Sequence, residues 1–359
     1  MRIEELKTPC YVIDEKQLKK NLSILQKVEK DTGCKILLAQ KAFSCFYEYP
    51  LIGQYISGTT ASGLFEARLG KEEMGKENHV FAPAYKEEDV KELVKICDHM
   101  VFNSFSQLEK YKTLCKETSV GIRINPECST QEGHAIYDPC APGSRMGTTL
   151  SMLSEAGNFE ETILPYLNGF HMHTLCEQNS DDLETTLRAA EEKFGAWFSK
   201  VKWLNLGGGH HITREDYDRE RLIRLVCGLR EKYGVEVYLE PGEAVVLNAG
   251  FLVTSVLETM ENGMQIAILD TSAACHMPDV IEMPYMPPLY GAKALTDKPA
   301  TNADSKHPDF VYRLAGPTCL AGDVIGDYTF AAPLHEGSLL VFQDMAIYST
   351  CKNNTFNGM

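Results

Sequence analysis

A (β/α)8 barrel of the TIM type followed by a β-rich domain is the α/β fold this sequence predicts. Three observations lead there: eight short β-prone stretches between residues 35 and 240, amphipathic segments alternating with them, and a change of texture after Pro241. Strand–helix alternation over that length is the sequence image of a parallel barrel. A doubly wound open sheet competes with it, but no G-x-G-x-x-G turn opens a first helix.

The elements follow in order. Residues 8–13, TPCYVI, are β-prone, and Asp14 is placed to cap a helix running to about Glu29. Expected strands are KILLAQK (35–41), GTTAS (58–62), HVFAP (79–83), HMVFN (99–103), SVGIRIN (119–125), NGFHMH (168–173), VKWLNLG (201–207) and VEVYLE (235–240). Between them LFEARLGKEE, KEEDVKELVKIC, SFSQLEKYKTLCK and TREDYDRERLIRLVCGLREKYG place apolar residues near the 3.6-residue period, with charge on the other face. Beyond Pro241 the segments GFLVTSVLETM, MQIAILDTS, VYRLAG and SLLVFQDMAIYS are short and β-prone. The proline-rich pieces MPDVIEMPYMPPLYGA and TDKPATNADSKHPD read as loops. The expected division is a barrel over 14–243 and a β-domain, sandwich or barrel-like, made of 1–13 and 244–359.

Composition narrows the function. With 44% apolar and 24% charged residues in 359, the chain reads as a folded globular protein. Its formal charge of −15 argues against a nucleic-acid surface and suits a cationic substrate. No uncharged apolar run approaches membrane-spanning length, and MRIEELKTPC has no signal-peptide core. The twelve cysteines stand singly, without a C-x-x-C pair, which points to a reducing cytoplasm rather than a disulfide framework or zinc site.

The residues with chemistry to offer gather at the expected strand ends: Lys41, Ser62, Arg123, His173, Gly207 to Gly209 and Glu240. A lysine at the edge of a buried strand is costly as an ammonium, and a neutral lysine amine is a nucleophile towards aldehydes. Lys41 is therefore placed to hold pyridoxal phosphate as a Schiff base, although on the octamer LLAQKAFS alone an ordinary strand-end lysine reaching to solvent is the commoner reading. Gly207, Gly208 and Gly209 follow an apolar strand, where bare backbone amides can cradle a phosphate, although an ordinary turn has the same composition. A carboxylate at position 240 can keep a pyridine nitrogen protonated. His171 and His173 share one face of their strand, fit either for stacking on a ring or for a metal. Cys319 lies in the turn GPTCLAGD, ahead of Asp323, and Tyr348 lies near a strand end with a hydroxyl to donate.

These residues and the stretches AQKAFS, GFHMHTLCEQ, NLGGGHHI, LEPGEA, LDTSAACHMPDVIEMPY and GPTCLAGD resemble the fold type III (alanine racemase-like) pyridoxal phosphate decarboxylases, over nearly the whole chain. GFHMHTLCEQ and CHMPDVIEMPY are similar to the branch formed by the carboxynorspermidine (carboxyspermidine) decarboxylases. The resemblance implies a pyridoxal 5'-phosphate-binding barrel, a small polyamine precursor as substrate, and a homodimer with its active site at the interface. It implies that Lys41 carries the cofactor, His173 stacks on its ring and Cys176 lies near its phosphate. Gly207, Gly208, Gly209 and Tyr348 would bind that phosphate. Glu240 would pair with the ring nitrogen, with Arg123 beside it, and Cys319 would serve the step after CO2 loss. The spacing from Gly169 aligns His173 rather than His171 with the stacking histidine. Glu243, Asp270, Asp279, Glu282 and Asp323 are the acids expected to receive the substrate. No metal is expected.

Two positions depart from the ornithine-type pattern. Leu320 stands where those members carry Asp after the cysteine, and Glu243 where they carry Arg after the E-P-G triplet. The rival readings are a decarboxylase of another basic amino acid (diaminopimelate, ornithine or lysine), a metal-dependent barrel hydrolase built on His171 and His173, and a pyridoxal phosphate-binding regulator without turnover.

Overall fold

The computed structural model describes residues 2–131, 138–155, 157, 159–295 and 310–359. Two compact units divide the chain, one of Lys19–Val245 and one of Met1–Leu18 with Val246–Met359.

The first unit holds a closed parallel barrel of eight strands in sequence order: β2 (Lys35–Ala39), β3 (Gly58–Ala61), β4 (Glu77–Phe81), β5 (His99–Phe102), β6 (Ser119–Arg123), β7 (Gly169–His171), β8 (Trp203–Asn205) and β9 (Glu236–Leu239). β2 closes on β9 through Lys35–Tyr238 and Ile36–Leu239. Seven of the eight fall within an expected stretch and are shorter than it, and β4 keeps the expected length but starts two residues earlier; the last residues of each stretch leave the ladder to build the upper face. Helices follow where the caps allow. Asn179 and Asp218 accept backbone amides at the starts of Ser180–Phe198 and Arg219–Tyr233, and Gly234 ends the second in a left-handed turn. The helix expected from Thr213 therefore begins only after Asp218, its first six residues being turn and irregular chain.

The barrel is filled by side chains rather than hollow. Leu37, Val101, Trp203 and Tyr238 form one buried cluster with Phe81 against it. Trp203 fits because β6 and β7 offer glycines: a Cβ at Gly169 would stand 2.0 Å from the indole, and one at Gly121 2.2 Å. Large and small residues on adjacent strands thus share one layer.

The second unit is a seven-stranded mixed sheet of β1 (Cys10–Ile13), β10 (Gly250–Glu261), β11 (Gln265–Leu269), β12 (Ala292–Ala294), β13 (Phe310–Ala315), β14 (Val324–Phe330) and β15 (Leu339–Gln343). The order is β1-β10-β11-β13-β14-β12, with β15 also on β10 and only β11–β13 parallel. Leu252, Val256, Leu314, Tyr328 and Phe342 lie in its buried core. Asp14 caps the first helix, accepting from the Lys16 and Gln17 amides at 2.9 and 3.2 Å. The loop expected over MPDVIEMPYMPPLYGA contains one short helix, Asp279–Glu282. TDKPATNADSKHPD lies outside the described residues.

Gly169→Ala is expected to destabilise the barrel by about 1–3 kcal/mol through overpacking against the indole. Denaturant unfolding measures this, and Trp203→Phe in the same chain should recover part of the loss.

Candidate active site

Parallel strands end on one face, so residues that follow them meet there. Arg123 closes β6, Glu240 follows β9 directly, and Lys41, His173 and Gly207 each lie two residues past β2, β7 and β8.

Glu240 anchors the group. It is only 7% exposed; Oε1 accepts from the Asn205 amide at 2.7 Å and Oε2 from His171 Nε2 at 3.1 Å. Burial alone would raise its pKa, but these donors outweigh burial and hold it down to about 2. Burial keeps His171 below its usual pKa, so it acts as a neutral donor. Its ring also stacks on Phe81, with centroids 5.3 Å apart. The backbone repeats the connection, since Glu240 N donates to Gly207 O at 2.7 Å and Asn205 Oδ1 accepts from Gly207 N at 2.9 Å.

Gly207 and Gly209 have φ of +70° and +81°. A Cβ would meet Met172 O at 2.5 Å from the first and Leu175 O at 2.1 Å from the last, so glycine is required at both on two counts. The amides are not all alike. Gly207 N is bound to Asn205, Gly208 N donates to His173 Nδ1 at 2.8 Å, and among the described residues no hydrogen bond engages Gly209 N. The Gly208 contact makes Nδ1 of His173 an acceptor and leaves the proton on Nε2. Burial, then the Lys41 and Arg123 charges, keep His173 well below the usual histidine pKa.

Lys41 lies in a turn with its side chain exposed, yet the groups crowded around its amine desolvate it. That desolvation, with the Arg123 charge, still lowers its pKa, against Glu240, Cys176 and Glu243. No salt bridge holds it among the described residues. Arg123 is 2% exposed, donates to His173 O at 3.0 Å and lies 4.8 Å from the Phe81 ring centre. Burial brings it down to about 10, and it too has no ion pair among the described residues. Cys176 is half-buried, with its thiol pushed up to about 11 by burial, Glu243 and Glu177.

Sequence reasoning passed over Asn205 and Glu66, and His210 and His211 entered it only as metal candidates, a loop pair after three glycines being a poor rigid ligand set. Asn205 is a polar residue inside the apolar strand WLNLG, which was the available signal. His211 Nε2 lies 2.8 Å from Glu243 Oε2, so the acid at the position that departs from the ornithine pattern is met by a histidine. Glu66 accepts from Ser62 N at 2.6 Å, and its pKa, raised by burial, is eased down by Lys41.

The remaining expected residues belong to the second unit. Cys319 is exposed in its turn, its amide donating to Asn357 Oδ1 at 2.8 Å. Tyr348 is not at a strand end but five residues past β15, with φ of +56°. An aromatic residue in the left-handed region carries roughly 1 kcal/mol or more of strain. Two of the five expected acids are committed elsewhere. Asp270 accepts from Thr8, Thr254 and both the amide and hydroxyl of Ser255, at 2.5–2.9 Å. Asp323 is 2% exposed and accepts from the Thr318 hydroxyl at 2.6 Å and the Ala274 amide at 3.3 Å, shaping the Cys319 turn. Asp279 and Glu282 both contact Lys352.

The barrel-face set suits pyridoxal phosphate. It offers a lysine amine of lowered pKa, a buried cation without a carboxylate, a free glycine amide in a turn that excludes side chains, and a carboxylate that stays ionised. It does not suit a metal shared by His171 and His173, because His173 gives its Nδ1 lone pair to the Gly208 amide and carries its proton on Nε2, leaving no lone pair to ligate. The groups of metal-ligating type among the described residues, Glu77/His79/His99 and Glu177/His211/Glu243, include neither histidine.

Barrel and site together define a pyridoxal phosphate-binding barrel enzyme. Residues 10–346 match the model of the pyridoxal-dependent decarboxylase family, C-terminal sheet domain. The carboxynorspermidine/carboxyspermidine decarboxylase of Campylobacter jejuni is 44% identical over 100% of this chain and 92% of its own. The carboxyaminopropylagmatine decarboxylase of Synechocystis is 40% identical over 100% and 89%. The crystal structure of carboxynorspermidine decarboxylase from C. jejuni complexed with norspermidine superposes with a TM-score of 0.90 at 43% identity, covering 98% of this chain and 92% of that one. The chain belongs to the pyridoxal-dependent decarboxylases, and pyridoxal 5'-phosphate is its cofactor. No helix among the described residues is long and apolar enough to cross a membrane.

Glu240 titrates near 4.5 in the unfolded chain and about 2 in the fold. Its ionised form therefore stabilises the barrel above pH 4.5, and that contribution drains away as pH falls towards 2. Asn205→Ala should move the acid-unfolding midpoint to higher pH, read by circular dichroism across a pH series.

Proposed function

We propose that this enzyme decarboxylates carboxynorspermidine and carboxyspermidine, releasing CO2 and leaving norspermidine or spermidine in polyamine biosynthesis. The observation that carries the reading is the convergence of Lys41, Glu240 and the triple glycine on one barrel face, in a chain 44% identical to the C. jejuni enzyme. The free cysteines, all twelve of them, fit work in a reducing cytoplasm.

In this reading Lys41 carries the cofactor on Nζ. Gly207, Gly208, Gly209 and Tyr348 receive the phosphate, with the Gly209 amide the one not otherwise engaged and Cys176 beside it. His173 lies against the ring, its orientation held by the Gly208 amide, and Arg123 stands alongside. Bound there, the cofactor supplies an electron sink for the charge left by CO2 loss. Glu240 stays ionised and holds the ring nitrogen protonated. Lys41 or Cys319 then returns a proton to the carbon that lost CO2.

Cys319 is supplied by the second copy in a homodimer, a role supported by its exposure together with that of Leu320 and Phe356 around its turn. Glu243, Asp279 and Glu282 receive the cationic arm; Asp270 and Asp323 act as scaffold. A second reading comes from the Synechocystis relative, since a carboxylate pair also accepts the guanidinium of an agmatine arm.

CO2 release from carboxynorspermidine, carboxyspermidine, carboxyaminopropylagmatine, ornithine, lysine and diaminopimelate tests the assignment. The first two should show the highest kcat/KM, with Lys41→Ala inactive and without visible absorbance. A higher value for carboxyaminopropylagmatine moves the assignment to the second reading, and no release from any carboxylated polyamine overturns both. Mixing inactive Lys41→Ala with inactive Cys319→Ala should restore about a quarter of wild-type activity if dimers share sites and subunits exchange at random.

A further inference from the structure

We propose that Lys352 is a specificity-determining residue whose ammonium occupies the Asp279–Glu282 carboxylate pair and competes there with the distal ammonium of substrate and product. The inference rests on the reading just given, in which those acids receive the polyamine arm, and it names what holds them in its absence.

The short helix Asp279–Glu282 sets its two carboxylates three residues apart on one face. Lys352 Nζ reaches both, touching Asp279 Oδ1 and lying 2.7 Å from Glu282 Oε2. Chemically the occupant is a primary ammonium on a methylene chain, the same group that ends a polyamine arm. A pair of oxygens spaced for one is spaced for the other. The side chains are 36%, 27% and 58% exposed, so the contact is open to water and exchangeable rather than locked. Lys352 leaves one negative charge of the pair uncompensated, enough to attract an incoming cation while its own amine gives way.

The position of Lys352 ties this contact to the other expected site residues of its unit. Its amide donates to Tyr348 O at 2.8 Å. Two residues on, Asn354 Nδ2 donates to Ala274 O at 2.7 Å, and Asn357 Oδ1 accepts from the Cys319 amide. One C-terminal segment thus joins Tyr348, the acid-bearing helix and the Cys319 turn. An ammonium that displaces Lys352 is felt along that segment.

The test is binding of norspermidine and of propylamine to holoenzyme by calorimetry, with steady-state kinetics alongside. Lys352→Met keeps length and removes charge. Norspermidine affinity should rise about threefold, the size of an exposed ion pair, and KM for carboxynorspermidine should fall in step. Propylamine has no distal ammonium, and its affinity should not change. Lys352→Arg should stay at the wild-type value, and Lys352→Met should have no effect in an Asp279→Asn/Glu282→Gln background. Unchanged or weakened norspermidine binding in Lys352→Met, or an equal shift for propylamine, would overturn the proposal in favour of a purely structural ion pair. Absence of CO2 release from carboxynorspermidine by the unmodified enzyme would instead strike the functional reading, so the two failures are distinguishable.

Discussion

A carboxylate that is buried and yet remains ionised is the constraint around which the barrel face is arranged. Glu240 has its charge shared by an amide, Asn205, and an imidazole, His171, and its backbone is tied to Gly207. The same Asn205 orients the Gly207 amide, and the next amide, of Gly208, fixes the tautomer of His173. Glu240, the triple-glycine turn and His173 are therefore one hydrogen-bonded unit rather than three separate features. Moving any member leaves a buried polar group unpaired, which costs about 1–3 kcal/mol.

The charges around that unit are incomplete without a ligand. The Arg123 charge lowers the pKa of Lys41, both charges lower that of His173, and neither cation has an ion-pair partner among the described residues. An anionic cofactor supplies what is missing, which is why this face favours pyridoxal phosphate over a cation. The opposite end of the barrel is treated differently. There Lys35 lies 2.8 Å from Glu77 and 3.1 Å from Glu236, and Tyr238 donates to Glu77, so these charges are paired within the protein.

In the second unit the acids divide by what they already hold. Asp270 and Asp323 are saturated by hydroxyl and amide donors and shape the sheet and the cysteine turn. Asp279 and Glu282 instead meet Lys352 in a contact open to water.

The sequence by itself determined the architecture and the residues at the barrel rim. Strand–helix periodicity is local, and parallel topology turns strand ends into one face without further information; Lys41, Arg123, His173, the glycines and Glu240 were legible for that reason. Tertiary structure decided the partnerships. That Glu240 is held by Asn205 and His171, that Glu243 meets His211, and that Lys352 occupies Asp279 and Glu282 all depend on residues 32 to 73 positions apart in the chain. Neither periodicity nor composition encodes such separations. The position of Tyr348 followed the same rule: its β-prone surroundings predicted a strand end, while the packing of Ala346 against Gly250, where a Cβ would come within 2.3 Å, belongs to a turn. Short-range preference lost there to a close backbone approach that only the folded chain creates.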